Sequence, residues 1–472
     1  MLSYQKMKRR LKSLIPLFLV AFSIPAAAQQ EFASIQLGEK NIDKYAVVTD
    51  DTGLLCFTFY KKKILNFYII DQQGKVVQRS TAPFDYDPEI QATGYHASSF
   101  LIYYTPKSAK REGDLGALVV DKLSGKVSAP VYYRFELTKN DEAIGQLTDG
   151  KDLFLLYYDK TRNKIKVVKP TQQDVEIKEF SFPLPLDPSL MKSGFFWVEP
   201  YGVKSIYHYQ APQKGYLQKG IIYLTFDIPQ QFKTYVLKLD WHMGTTQLLQ
   251  APEKGLAAGT SSNTFLYDQK LFRLTLDKLR LDLSVYNMDD LSLLKNFSYS
   301  PADPITLNKG PVYHEDVATG NFKTIGDIRN EKLFKTLASG NAALFVDPAP
   351  KGNIRITLGA FNANASGVSV GGAFGSIGQG LGVSIGGGKQ ISGTRQGSTF
   401  FDAFLAYPSL DIADALPREL PVLNDLIQGH FSSVKESPEF VRIYDYLQAT
   451  THLTYIDSRN AQLKIISFPR YR

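Results

Sequence analysis

The sequence predicts an all-β fold built from repeated antiparallel sheets, and three observations carry that expectation. Short runs rich in Val, Ile, Tyr and Phe alternate with turns rich in Asp, Asn, Lys, Gly and Pro along most of the 472 residues. The runs fall in pairs with the composition of β-hairpins. The pairs recur with a period near 50, as from the turn at Asp71 to the turn at Asp121.

Taken in order, Leu54–Tyr60 turns into Ile64–Ile70, and Phe100–Thr105 loops into Gly116–Val120. Leu153–Tyr158 pairs with Lys164–Val168, Ile221–Phe226 with Thr234–Leu239, and Leu271–Leu276 with Arg280–Tyr286. Ala342–Val346 pairs with Asn353–Leu358, and Leu453–Ile456 with Gln462–Ile466. Residues 155–168 can be laid over 453–466 without a gap, so two of these hairpins resemble each other beyond composition. A second turn follows several hairpins, at Asp71–Lys75, Asp121–Lys126 and Asp240–Gly244. The resulting unit is strand, turn, strand, Asp turn, strand.

One such sheet cannot bury both of its faces alone, and radial stacking of several does so while leaving short edges. On these repeats the chain resembles exported bacterial β-propeller proteins, at the level of the superfamily. The resemblance covers most of 32–360 and 450–468 and implies a shape without a reaction. Setting aside two irregular stretches leaves about 53 residues per blade for seven blades and about 62 for six. Seven fits best, while six and eight stay open. The last hairpin is expected to share a blade with an N-terminal strand near Phe32–Leu37. Two β-sandwich domains are the rival architecture, and internal repetition argues against them.

Residues 1–28 read as an export signal. Lys6, Lys8, Arg9, Arg10 and Lys12 precede the apolar run Leu14–Ile24, and the small-residue box Ala26-Ala27-Ala28 follows. The apolar run is too short to span a bilayer. Residues 29–472 are then the propeller domain, periplasmic or outer-surface associated, with no transmembrane helix expected. It is interrupted by a Gly-rich loop at 366–398 and a helical insertion at 411–448. Ser437-Pro438-Glu439 looks like a helix start there, and Phe440, Val441, Ile443, Tyr444 and Leu447 like a helical face.

The net charge of +8 shrinks once the signal is removed, to 49 basic against 46 acidic residues. No footprint for a nucleic-acid backbone remains. The one Cys, Cys56, lies in an apolar run and reads as a buried structural thiol.

Candidate chemistry is sparse. Ser369 and Ser384 each centre a G-x-S-x-G match, but in Gly-rich surroundings that cannot supply the helix a nucleophile elbow requires. The histidines His96, His208, His242, His314, His430 and His452 form no metal-binding spacing. His314-Glu315-Asp316 reads as a solvated polar loop, the alternative being a metal ligated together with remote partners. Asp159, Asp227 and Asp277 read as turn residues that cap their own backbone. Tyr103-Tyr104, Tyr132-Tyr133 and Tyr157-Tyr158 read as core. Tyr201, Tyr207, Tyr209 and Tyr216, in the long segment between blades, are the candidates for stacking on a sugar. No catalytic, cofactor-binding or metal-binding residue is assigned, and no cofactor is called for.

Export, a rigid repeat platform and no local catalytic constellation point to a non-enzymatic cell-envelope scaffold. It would bind an envelope protein or a surface glycan through a loop face. The alternative is an exported propeller enzyme acting on glycans, a hydrolase or lyase whose carboxylates converge from different blades. A small-ligand carrier or sensor is a third reading. Oligomeric state is left open.

Overall fold

A computed structural model describes residues 30–469. It leaves out 40, 41, 43, 87, 108–113, 184, 193, 199–205, 232, 253–259, 309, 317–320, 326–327, 363–396, 414–441, 447–449 and 458–459. The export signal, Ser369, Ser384, Tyr201, His430 and most of the two expected insertions lie outside the described residues.

The described strands form seven sheets of four or five strands. The first holds β2 (Tyr45–Thr49), β3 (Leu55–Lys61), β4 (Ile64–Ile70) and β5 (Val76–Pro83). The second holds β6 (Glu89–Tyr95), β7 (Ser99–Thr105), β8 (Leu115–Asp121) and β9 (Val131–Tyr133). The third holds β10 (Asp141–Thr148), β11 (Leu153–Asp159), β12 (Lys164–Pro170) and β13 (Val175–Ser181). The fourth runs β14 (Phe196–Trp197), β15 (Gln213–Gln218), β16 (Ile221–Ile228), β17 (Lys233–Asp240) and β18 (Thr245–Gln250). The fifth holds β19 (Ser261–Tyr267), β20 (Lys270–Leu276), β21 (Leu281–Asn287) and β22 (Leu293–Tyr299).

The sixth sheet breaks the sequential order. It runs β24 (Asn321–Ile325), β23 (Val312–Asp316), β27 (Gly397–Ala406), β26 (Asn353–Asn362) and β25 (Asn341–Ala349). The seventh joins the two ends of the chain, as β1 (Gln30–Gln36), β30 (Gln462–Pro469), β29 (Thr450–Asp457) and β28 (Arg442–Tyr446). The last hairpin therefore has the N-terminal strand as its partner, with Ile35 opposite Leu463. Neighbouring strands are antiparallel except β14 and β15. The whole is an all-β, propeller-like arrangement.

Burial explains the run composition. The second strand of a sheet lies under neighbours on both faces, so β11 is buried along its whole length. The edge strand β5 alternates half-buried and exposed residues instead. Apolar clusters join adjacent sheets rather than filling one central core. Ile35, Leu463 and Phe57 join the seventh sheet to the first, and Cys56, Phe67 and Phe100 join the first to the second. Cys56 is fully buried, and burial pushes its thiol up to about 12. The expected structural thiol is what is found.

Strands of successive sheets are also stitched by polar side chains. Thr93 donates to the Val47 carbonyl at 3.2 Å and Gln146 to the Gln91 carbonyl at 3.0 Å. Lys214, fully buried, donates to Asn263 Oδ1 at 3.1 Å, and the same oxygen accepts the Leu344 N–H at 3.2 Å. Burial lowers the Lys214 amine to about 8, with the Asp227 charge opposing.

Equivalent turns do equivalent work. Asp159 accepts the N–H groups of Thr161 and Arg162, and Asp457 accepts the N–H of Asn460. Asn163 and Ala461 occupy the same place in the two superposable hairpins, and both have φ of 53°.

Three expectations need correction. Residues 442–446, read as a helical face, are the strand β28, with Ile443 opposite Leu453. Ile and Tyr spaced this closely fit either period, and the backbone of β29 supplies hydrogen-bond partners that decide for the strand. His314-Glu315-Asp316 is not a loop but the end of β23, paired on both sides. The polar triplet follows Val312-Tyr313, which start the strand, and Glu315 is buried there. Finally, a helix α1 (Asn330–Ala338) stands where none was foreseen. Leu333, Phe334 and Leu337 make its buried stripe, a legible signal of helical spacing. Among the described residues, no helix is long and apolar enough to cross a membrane.

Candidate functional site: a cleft between the fifth and sixth sheets

A cavity of about 410 Å³ opens where the turns of the fifth sheet meet the chain leaving β27. Gln269, Lys270, Asn287 and Ser409 give it polar walls, and Leu294, Pro408 and Leu410 apolar ones. The local backbone sets this up. Asp268 and Gln269 form the two-residue turn between β19 and β20, with φ of 38° and 60°. Both positive values are those of a turn that matches strand twist. The turn places Lys270 first in β20, opposite Asn287 at the end of β21. From the other side, Tyr407 N–H donates to the Gly352 carbonyl at 3.0 Å and Leu410 N–H to the Ala406 carbonyl at 2.7 Å. These bonds fold residues 407–410 over the cavity wall.

The polar groups are braced. Lys270 Nζ donates to Tyr407 Oη at 2.8 Å and lies 4.3 Å from the ring centroid. Tyr407 Oη donates in turn to Asp268 Oδ2 at 2.6 Å. Burial, and then the neighbouring Asp268 carboxylate, raise the Tyr407 phenol above its ordinary value, so it keeps its proton. Gln269 is held at both ends, accepting from Tyr223 Oη at 3.3 Å and donating to Gln218 Oε1 at 3.2 Å. Pinned side chains around a concave, partly apolar pocket can orient a small molecule.

The residues expected to matter lie elsewhere. Tyr209 and Tyr216 are buried, Tyr209 stacking on Phe345 at 4.4 Å and Tyr216 meeting Phe265 edge-on at 5.8 Å. Tyr207 packs against Phe361 at 4.6 Å. Residues 206–210 pack onto β25 and β26, which encloses Tyr209 and leaves Tyr207 half-buried, while Tyr216 lies inside β15. Asp159 and Asp277 are turn caps as expected. Asp227 is not, because its oxygens take Thr234 Oγ1 and both the N–H and Oγ1 of Thr264. It thereby ties the fourth sheet to the fifth. Among the described residues, no group of three or more His, Cys, Asp or Glu side chains is placed to hold a metal ion. Sequence reading missed Lys270, Tyr407 and Asp268 because Tyr407 stands 139 residues from Asp268.

A second charged cluster is structural. Asp50, buried, accepts from Lys122 Nζ at 2.7 Å, Thr52 N–H at 2.9 Å and Leu54 N–H at 3.0 Å. Burial pushes its carboxyl up, but Lys122, Thr52 and Leu54 together hold it below the usual carboxylate value. With the folded pKa below the unfolded one, this stabilisation is present above about pH 4 and fades as pH falls through the folded value. Asp50→Asn should therefore destabilise most near pH 7, with the gap to the parent protein narrowing below pH 4. Urea midpoints measured from pH 3 to 7 check this, and a constant gap would contradict it.

No protein-family model matches the chain. No curated protein sequence matches it either. Among solved structures, a variant of the Synechocystis apocarotenoid oxygenase is similar at 10% identity and TM-score 0.29, over 55% of this chain and 62% of that one. The cobalt-substituted form of the same oxygenase gives 10% and 0.28, with 55% and 62% covered. A chimera of that oxygenase with RPE65 gives 11% and 0.27, with 59% and 64% covered. The chain thus spans less than two thirds of the length of these structures.

These neighbours are oxygenases or built from one, and none is a binding scaffold or a glycan-acting enzyme by name. The expected role as a non-enzymatic envelope scaffold for a protein or glycan, with its glycan-enzyme alternative, is withdrawn on that finding. At such identity and TM-score the likeness brings no reaction, ligand or residue to this chain.

Proposed function

We propose that the chain is an exported β-propeller of seven blades that takes up a small polar molecule in the cleft between its fifth and sixth sheets. The observation that carries the reading is the braced pair Gln269 and Lys270, with Asn287 and Ser409 beside them, around a cavity of about 410 Å³ with an apolar wall. That volume falls within the range of small-molecule sites, in which placed polar groups fix orientation; here four polar side chains and three apolar ones share the lining. Saturation-transfer NMR with a mixture of small acids, amides and polyols tests it. At least one component should bind the parent protein and be lost in Ser409→Trp, which fills the cleft from an exposed position. Binding that survives Ser409→Trp with the fold intact, or no binding at all, would sink the reading.

Export rests on the basic, apolar and small-residue pattern of 1–28, which directs the mature chain to the periplasm or outer surface. Detection of the chain with an intact N-terminus in the cytoplasm would contradict it. Closure into a seven-bladed ring is supported by the pairing of β1 with β30 and the contact of β28 with β2. Deleting 450–469 should then lower the melting temperature of the whole protein by well over 5 °C, since it removes β29 and β30 and leaves β1 and β28 without the strands they pair with. A melting point left within about 2 °C would argue against closure.

A further inference from the structure

We infer that the cleft selects a small monocarboxylate, received by Lys270 and Asn287, with its apolar part against Leu294, Pro408 and Leu410. The inference rests on the reading of the cleft as a small-molecule site.

The starting point is the company Lys270 keeps. Its ammonium has three donors, and the partner it holds is the neutral phenol oxygen of Tyr407 at 2.8 Å. The acid two residues before it in the chain, Asp268, is taken up by the hydroxyl proton of Tyr407. Tyr407 thus stands between the lysine and the carboxylate that would otherwise neutralise it. The half-buried ammonium thus meets a hydroxyl, with the Asp268 carboxylate one hydrogen bond further on, and an incoming anion would give it a direct charge-assisted hydrogen bond. Asn287 sits directly across the strand pair from Lys270 and adds amide donors, while its Oδ1 accepts the Asp289 N–H at 3.2 Å. From opposed register positions, the ammonium and the amide offer donors to the two oxygens of a carboxylate.

The surrounding charges set the size of the anion. Lys295 and Asp411 pair with each other at 2.8 Å at the rim, and Asp289 and Asp290 occupy the exposed turn after Asn287. Lys270 is the one charged residue of the lining, and Asp268, Asp289 and Asp290 stand around it. An acidic border of this kind disfavours a dianionic phosphate monoester more than an anion of one charge. Leu294, Pro408 and the buried Leu410 then favour a ligand with an alkyl or similar apolar body.

Calorimetric titration with hexanoate, hexanamide and hexyl phosphate tests the assignment. Hexanoate should bind at least tenfold more tightly than either of the other two. Lys270→Met should erase that preference, and Lys270→Arg should restore part of it, with far-ultraviolet circular dichroism confirming that both variants fold. Tyr407→Phe should weaken hexanoate at least threefold by releasing Asp268 towards the ammonium. If hexanamide binds as well as hexanoate, or Lys270→Met leaves the preference intact, the carboxylate assignment is overturned while the cleft stands. Tighter binding of hexyl phosphate overturns it in favour of phosphate. If none of the three binds, the carboxylate assignment and the cleft reading beneath it both fall.

Discussion

Trp197→Ala should destabilise the protein by about 3–5 kcal/mol, the range for removing a large buried aromatic. The indole is 5% exposed and wedged between two glycines on neighbouring sheets, Gly145 of β10 and Gly215 of β15. A Cβ on either glycine would overlap the indole ring. The wedge joins the third sheet to the fourth, and Phe195 flanks it at 5.3 Å. Gly215→Ala should therefore be costly by itself, by about 2 kcal/mol or more, because it drives the indole out of its slot. Combined with Trp197→Ala, the same substitution should add less than about 1 kcal/mol, since the atom it collides with is gone. Urea denaturation of the four proteins of this cycle gives the coupling directly. Equal costs of Gly215→Ala in both backgrounds would show that the indole is not what holds that glycine in place.

Asp347→Ala should cost about 3–5 kcal/mol, the penalty for leaving a buried charge without its partner. Asp347 and Arg355 face each other across β25 and β26 in direct register. Their contact is bidentate, Arg355 Nε to Oδ1 at 3.1 Å and Arg355 Nη2 to Oδ2 at 2.9 Å. The two side chains are 10% and 5% exposed, so water replaces little of what is lost. Replacing the pair together, as Asp347→Leu with Arg355→Met, should recover most of the loss, because desolvation of both charges is then avoided. A double variant as unstable as Asp347→Ala would mean that the pair does more than satisfy itself.

Much of the fold was legible from the residues themselves. A strand buried on both faces must be apolar throughout, and a two-residue turn must tolerate positive φ, so the hairpins and their turns are written locally. The match of 155–168 with 453–466 went further, because Asn163 and Ala461 share one backbone conformation despite unlike side chains. Errors came where local pattern serves two periods. Residues 442–446 fit a helical face as well as a strand until β29 supplied the ladder. His314-Glu315-Asp316 looked like a loop because polarity was read without the strands that flank it on both sides.

By itself, then, the sequence determined the class of secondary structure, the period of the repeat and the partnership of the chain ends, all set by nearest neighbours and alternating burial. Only the tertiary structure decided the cleft. Lys270 and Asn287 are brought opposite each other by strand register, and Tyr407 comes to Lys270 from 137 residues away. It also decided that Tyr209, Tyr216 and Tyr207 pack against rings, since Phe345, Phe265 and Phe361 reach them from other sheets. The physical reason is the same in both cases. Propensity and hydrophobic period act within a few residues, whereas a binding site depends on distances between segments that no local spacing records.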